Sequence, residues 1–281
     1  MHTAFDWHIH TRGSWTGIPY KTLHQIAEDA HTAGLSAIGF TDHLRTRPSI
    51  GVLEASRNEY DCLAAPIPCF FGAEVSAVRQ WDIEHRDGQE DFAYTYAEGP
   101  EEDPVIILDD EMKKRLSFDY AIGAAHFRLG APLEAQAMIE SFHRQQMMLA
   151  QHPFVDVIGH PWYQNVRWKN DDGSMWIAPW IDDFASIPEK YHREFAEAVV
   201  RGGKAIEINA NLFLPSNYYN DRFRGQYRIF FRNLRDCGAQ FAIGTDAHDA
   251  GYVSRLHLIE HELEGLGLTE DNFWRPDCMS G

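Results

Sequence analysis

Seven short stretches of the chain carry side chains that bind metal ions: His8-Ile9-His10, Thr41-Asp42-His43, Glu74, His126, His160-Pro161, Glu207-Ile208-Asn209 and Asp246-Ala247-His248. Imidazole and carboxylate together form the donor set of zinc, manganese and iron centres. The spacing supports the same chemistry. On a strand, side chains alternate with period two, so His8 and His10 share a face and can chelate one ion. Asp246 and His248 repeat that geometry with mixed ligands. A carboxylate such as Glu74 can bridge two ions, which in hydrolytic sites lie about 3.5–4 Å apart. The candidate ligands are therefore His8, His10, His43, Glu74, His126, His160, Asp246 and His248, around two or three divalent ions (Zn, Mn or Fe). Hydrolysis at such a site also needs groups that move protons, for which Asp246, His248 and Asp42 are the candidates. Arg12, Arg45 and Arg128 each follow a candidate histidine by two residues, so all three are expected on loops of the same face, where guanidinium forks suit a phosphate.

These residues need a scaffold that brings distant strand ends together. Apolar, β-branched runs alternate with helix-like stretches, the pattern of βαβ units and a parallel sheet. The runs are residues 4–10, 37–43, 69–76, 120–126, 155–160, 204–209 and 240–246, and each carries one of the metal-binding stretches at or near its end. In a parallel barrel all C-terminal strand ends converge on one face, where such barrels place their active sites. Helices are expected over 21–32, 52–64, 133–151, 189–201, 228–237 and 253–266. Residues 80–104, mostly acidic, and 162–188, rich in Trp and interrupted by Pro179 and Pro188, read as insertions. Val105–Leu108 has no clear place. The remaining histidines, among them His24, His31, His143 and His192, do not lie at strand ends and read as structural or surface groups.

Composition narrows the function further. The 281 residues hold 25 Lys and Arg against 42 Asp and Glu, a net charge of −17. This balance argues against a dedicated nucleic-acid binder, because phosphate-backbone affinity comes mainly from Lys and Arg. No apolar run is long enough for a membrane span, and Met1–His10 has no signal-peptide pattern. Four cysteines without a CxxC pair fit free thiols in a reducing compartment. The expectation is a cytoplasmic enzyme acting on a small molecule, built as one domain over residues 1–281.

The stretches Asp6-Trp7-His8-Ile9-His10-Thr11, Thr41-Asp42-His43, Gly72-Ala73-Glu74-Val75, Ala125-His126-Phe127, Gly159-His160-Pro161, Glu207-Ile208-Asn209 and Gly244-Thr245-Asp246-Ala247-His248 resemble, in order, those of the PHP (polymerase and histidinol phosphatase) metallohydrolases. The resemblance implies an α/β fold, a distorted (β/α)7 TIM-like barrel. It implies one metal on His8, His10, Glu74 and Asp246, a second on Glu74, His126 and His160, and a third on His43 and His248 with an aspartate from the loop after His10. This chain departs there: Ser14-Trp15-Thr16-Gly17 stands where the family reads Ser-Asp-Gly, and Trp15 cannot bind a metal. The implied activity is hydrolysis of a small phosphate monoester, histidinol phosphate being the family's best-known small substrate. Two alternatives are a metal-dependent hydrolase of a C–N or C–O bond, with the Trp-rich insertion enclosing an apolar substrate, and a non-catalytic metal-binding module.

Overall fold

A computed structural model describes residues 4–13, 21–85, 99–132, 134–162, 167–169, 175–177, 181, 183–210, 219–249 and 251–280. Seven strands form one parallel sheet: β1 (Phe5–Ile9), β2 (Ala37–Leu44), β3 (Cys69–Ser76), β4 (Tyr120–Ala124), β5 (Val157–Ile158), β8 (Ala205–Asn209) and β9 (Gln240–Gly244). They are ordered β1-β2-β3-β4-β5-β8-β9, with every pairing parallel. The two edges nearly close on each other. Ile9 bridges Ala247 in parallel, His10 N–H donates to the Ala247 carbonyl at 3.2 Å, and Ala247 N–H donates to the His8 carbonyl at 3.3 Å. The seven runs read from the sequence are thus the strands of an α/β, TIM-like barrel.

Helices cover the outside: α1 (Leu23–Thr32), α2 (Arg47–Asp61), α3 (Gln80–His85), α4 (Asp110–Leu116), α5 (Ala135–Gln151), α6 (Glu189–Gly202), α7 (Asp221–Asp236) and α8 (Tyr252–Leu266). Their starts follow local chemistry. Thr22 caps α1 by accepting from Gln25 N–H, with Gln25 closing the capping box in return. Pro48 sits in the first turn of α2, where its missing N–H costs nothing, so this helix begins five residues before the expected Val52. Asn220 accepts from Phe223 N–H at 2.8 Å and starts α7 seven residues earlier than expected. The longer helices bury apolar stripes in the core: α7 alone buries Phe223, Tyr227, Phe230, Phe231 and Leu234.

The barrel interior is filled from below by Trp7, Ala37, Tyr120, Ile122, Val157, Ala205 and Ala242. The Tyr120 hydroxyl crosses this space to donate to the Trp7 carbonyl at 2.5 Å. It passes over Gly39, where a Cβ would lie 1.8 Å from the hydroxyl oxygen, so only glycine fits there. Trp7 faces inward below the rim, and His8 and His10 face inward at it. Strand alternation alone forbids adjacent Trp7 and His8 from sharing a side. The register of β1 on β2 shifts between Asp6 and Ile9, and this bulge re-phases the strand. Asp6 Oδ1 accepts the His8 N–H at 3.2 Å.

The two stretches read as insertions are more structured, where described, than expected. In the first, α3 is anchored by Arg79 and Asp82, a fully buried two-pronged ion pair at 2.7 and 2.8 Å. Val105, which the sequence leaves without a place, pairs with Val78 as an antiparallel bridge. In the second, β6 (Arg167–Lys169) and β7 (Met175–Ile177) form a hairpin where a loop was expected. Residues 86–98, Trp15 and Trp180 lie outside the described residues. Among the described residues, no helix is long and apolar enough to cross a membrane.

Candidate metal centre

All eight residues expected as ligands meet at the C-terminal rim of the barrel, delivered by six strand ends. Glu74, at the end of β3 and fully buried, lies at the hub. Its Oε1 is 2.9 Å from His126 Nε2 and 2.9 Å from His160 Nε2. Its Oε2 faces the other way, touching His43 Nδ1 and lying 3.5 Å from His10 Nε2 and 3.6 Å from His8 Nε2. Asp246 Oδ1 is 3.1 Å from His10 Nε2, 3.7 Å from His8 Nε2 and 3.3 Å from His248 Nδ1. The His10 ring packs against those of both His43 and His248, with centroids 4.2 and 4.3 Å away.

Three groups have their ligand atoms within 4.8 Å of one another: His8, His10 and Asp246; His43, Glu74 and His126; and His10, His43 and His248. The first two correspond to parts of the expected metal positions, with Glu74 spanning both. The third places His10 with His43 and His248, where the resemblance implied an aspartate. Backbone strain marks the rim as well. His160, Trp162 and Asp246 have φ of 22°, 61° and 50°, in the region most side chains avoid.

The carboxylates are held ionised and His10, His43 and His126 neutral, as metal ligands must be, while the surrounding carboxylates favour a proton on His8 and His160. Burial alone would raise the Glu74 carboxyl, but His126, His43 and His8 around it hold it well below its usual range. Asp246 behaves alike: burial works upward, and His248 and His8 outweigh it. Burial and the neighbouring His248 push His10 down to about 3, so its ring is neutral and able to ligate. Burial, with Arg45 second, lowers His43 strongly, and burial lowers His126. Burial also opposes charge on His8, yet Glu207, Glu74 and Asp246 together raise it well above normal.

Hydrogen bonding alone does not satisfy this set. Glu74 Oε2 and His43 Nδ1 are buried and in contact, yet neither has an aligned hydrogen bond. His8 Nε2 and His10 Nε2 face each other at 3.2 Å. Two nitrogens on one tetrahedral ion, each about 2.0–2.1 Å from it, would be roughly 3.3 Å apart. The residues therefore fit metal ions, and these clusters could hold them.

No protein-family model matches the chain. It is 24% identical over 271 residues to a protein named a probable phosphatase in Thermoanaerobacter sp. (strain X514), covering 96% of this chain and 89% of the relative. A probable phosphatase of Caldanaerobacter subterraneus subsp. tengcongensis is likewise 24% identical, over 96% of this chain and 86% of its own length. Among solved structures, a candidate histidinol phosphatase from Listeria monocytogenes superimposes with a TM-score of 0.53 at 11% identity. It covers 89% of this chain and 97% of its own, a likeness of fold.

The other expected site residues divide. Arg45, half-buried, lies close enough to His43 and His126 to depress both, with its guanidinium carbon 5.8 Å from the Phe127 ring centroid. Arg12 turns away: Glu59 of α2 captures it at 3.1 Å, and its side chain is 49% exposed. Arg128 donates to the Ala131 carbonyl at 3.0 Å and lies beside Arg79, with burial and then that second guanidinium lowering it. Asp42, expected among the proton-moving groups, is buried beneath the loop after His10. Its carboxylate accepts from Thr11 N–H at 2.7 Å, Thr11 Oγ1 at 2.6 Å and Ser56 Oγ at 2.6 Å. A carboxylate with both oxygens so committed holds the loop instead of meeting a substrate.

A supporting layer was not assigned from sequence. Ser76 Oγ meets His126 Nδ1 at 2.9 Å, and His248 Nδ1 meets the Asp246 carbonyl at 2.7 Å. Thr245 donates to Asp6 through N–H at 3.0 Å and Oγ1 at 2.6 Å, tying β9 to β1. Glu207 and Asn209 also lie here, and their two-residue spacing was the available signal that both face the rim.

Proposed function

We propose that this protein is a metal-dependent phosphoesterase of the PHP type, one domain over residues 1–281, acting on a small phosphate monoester such as a histidinol-phosphate-like compound. The observation carrying the reading is Glu74, whose two oxygens reach two separate sets of imidazoles, as a carboxylate bridging two cations would. Its likeness to proteins named probable phosphatases supports the same reading.

His8, His10, Asp246 and Glu74 would hold one ion, and Glu74, His126 and His160 a second, with His43 and His248 beside them. Divalent ions there would supply positive charge to the phosphoryl oxygens and lower the pKa of a water toward about 7. Arg45 is the guanidinium placed to bind and orient the phosphate from the flank of His43 and His126. His248, whose side chain is 33% exposed, is the most open of the eight. Its Nδ1–H donates to the Asp246 carbonyl, leaving Nε2 to take up or release a proton at the mouth. The net charge of −17 favours a compact ester over a long polyanion, which would meet repulsion outside the pocket.

The test is an aryl phosphate assayed with Mn²⁺, Fe²⁺ or Zn²⁺ added back to chelated protein. Metal-dependent phosphate release, falling at least about 10³-fold in His10→Ala and Asp246→Ala, is expected. Amide hydrolysis without phosphatase activity would contradict it, as would stoichiometric metal with neither activity.

A further inference from the structure

Behind the ligands lies a buried carboxylate that none of the proposed metal positions uses. Glu207, on β8, is 1% exposed. Its Oε1 is 2.6 Å from His8 Nδ1. Its Oε2 accepts the backbone N–H of His160 at 2.7 Å and Asn209 Nδ2 at 3.3 Å. Asn209 Nδ2 is also 3.3 Å from Asp246 Oδ2. One carboxylate thus contacts the ligand His8 on β1 and the backbone of ligand His160 after β5, and through Asn209 it reaches ligand Asp246 after β9. The neighbouring strand leaves room for it. A Cβ on Gly244 would come within 2.1 Å of Glu207 Oε1 and 2.6 Å of His8 Cβ, so position 244 is kept clear for this contact.

We infer that Glu207 is a positioning residue that fixes the tautomer of His8 and sets the angle at which His8, His160 and Asp246 meet a cation, an inference resting on the metal-centre reading above. The chemistry follows from the donor inventory. A carboxylate only accepts, so His8 must present Nδ1–H to it, which leaves the Nε2 lone pair facing His10, Glu74 and Asp246. Metal-bound histidines are commonly oriented in this way by an outer carboxylate, which also raises their basicity. Glu207 must accept from His8 on one oxygen and from His160 N–H and Asn209 on the other. Glutamine cannot do both. If its oxygen faces His8, its NH₂ meets two donors. If it flips, its NH₂ opposes His8 Nδ1–H and favours the Nε2–H tautomer, which cannot ligate.

The test measures cation binding, not turnover. Zn²⁺ and Mn²⁺ dissociation constants are measured by chelator competition on wild type, Glu207→Gln, His8→Ala and the double variant. Glu207→Gln is expected to weaken binding about 10–100-fold while circular dichroism is retained. In the His8→Ala background the same substitution should add less than about threefold, since most of its effect passes through His8. Wild-type affinity in a folded Glu207→Gln protein would overturn the inference and leave the metal centre standing. Absence of tight binding in wild type would overturn both. Should Glu207→Gln fail to fold, ¹⁵N spectra of the zinc-loaded wild type decide the question. His8 is expected with Nδ1 protonated and Nε2 bound to zinc; a His8 protonated on Nε2 would overturn the inference.

Discussion

At the scale of single residues, Glu74 and Arg45 divide the work of handling charge. Glu74 stays ionised in a buried site only because histidines surround it. Arg45 brings fixed positive charge to the flank where a phosphate would sit. Of the three arginines that share a two-residue offset from a histidine, the sequence could not rank one above another. Glu59 withdraws Arg12, and Arg128 is turned toward the Ala131 carbonyl. The discriminating feature is a tertiary partner, which spacing does not encode. Removing Arg45 should therefore cost a charge-assisted hydrogen bond to substrate, about 1.5–3 kcal/mol. Arg45→Ala is expected to raise KM for an aryl phosphate about 10–100-fold, with a smaller change in kcat. Arg12→Ala should leave both within about twofold. Equal losses in the two variants, read from steady-state kinetics, would contradict this placement.

At the scale of elements, strand ends were legible and their phasing was not. The seven runs announced themselves through apolar composition and the metal-capable residues that close them. The bulge in β1 did not, because it exists to reconcile two sets of side chains, Phe5 with Trp7 and His8 with His10, that only the closed barrel brings to one side. The β6–β7 hairpin was hidden by a composition that reads as loop, and α4 by its small size. His192 on α6 shows the same gap. It reads in sequence as a structural or surface group, with nothing to tell which, and it packs against Phe184 at 5.2 Å and Phe230 at 5.1 Å. Its Nδ1 is buried without a hydrogen bond. Burial, with His143 second, pushes it down to about 4 from an ordinary 6.5. The folded state keeps it neutral, whereas the unfolded chain protonates it below 6.5. Between pH 6.5 and 4 the unfolded state binds more protons, so stability falls as pH falls through that window. The loss at pH 4.5 amounts to about 2 kcal/mol. Urea melts of His192→Phe should show that much less destabilisation between pH 7 and 4.5 than wild type. A decline as steep as that of wild type would show that His192 is not held neutral by the fold.

At the scale of the whole molecule, a parallel barrel turns sequence order into proximity. Residues 8 and 246 lie 238 positions apart, yet closure of β1 on β9 places His8 Nε2 3.7 Å from Asp246 Oδ1. The convergence of the eight candidate residues was legible because it depends on strand direction alone: whatever closes a parallel strand arrives at the same rim. The layer behind it was not, because Asp6, Asp42 and Glu207 are told from ligands only by which donors the closed fold turns toward them. The account stands on Glu74 being shared between two cations. Its most direct test is the metal content of purified, metal-reconstituted protein, by plasma mass spectrometry, in wild type and Glu74→Gln. Wild type is expected to hold about two or more ions per chain, with Glu74→Gln, still folded, losing affinity at both principal positions together. Wild type holding fewer than about one ion, or a folded Glu74→Gln protein with unchanged content and affinity, would contradict it.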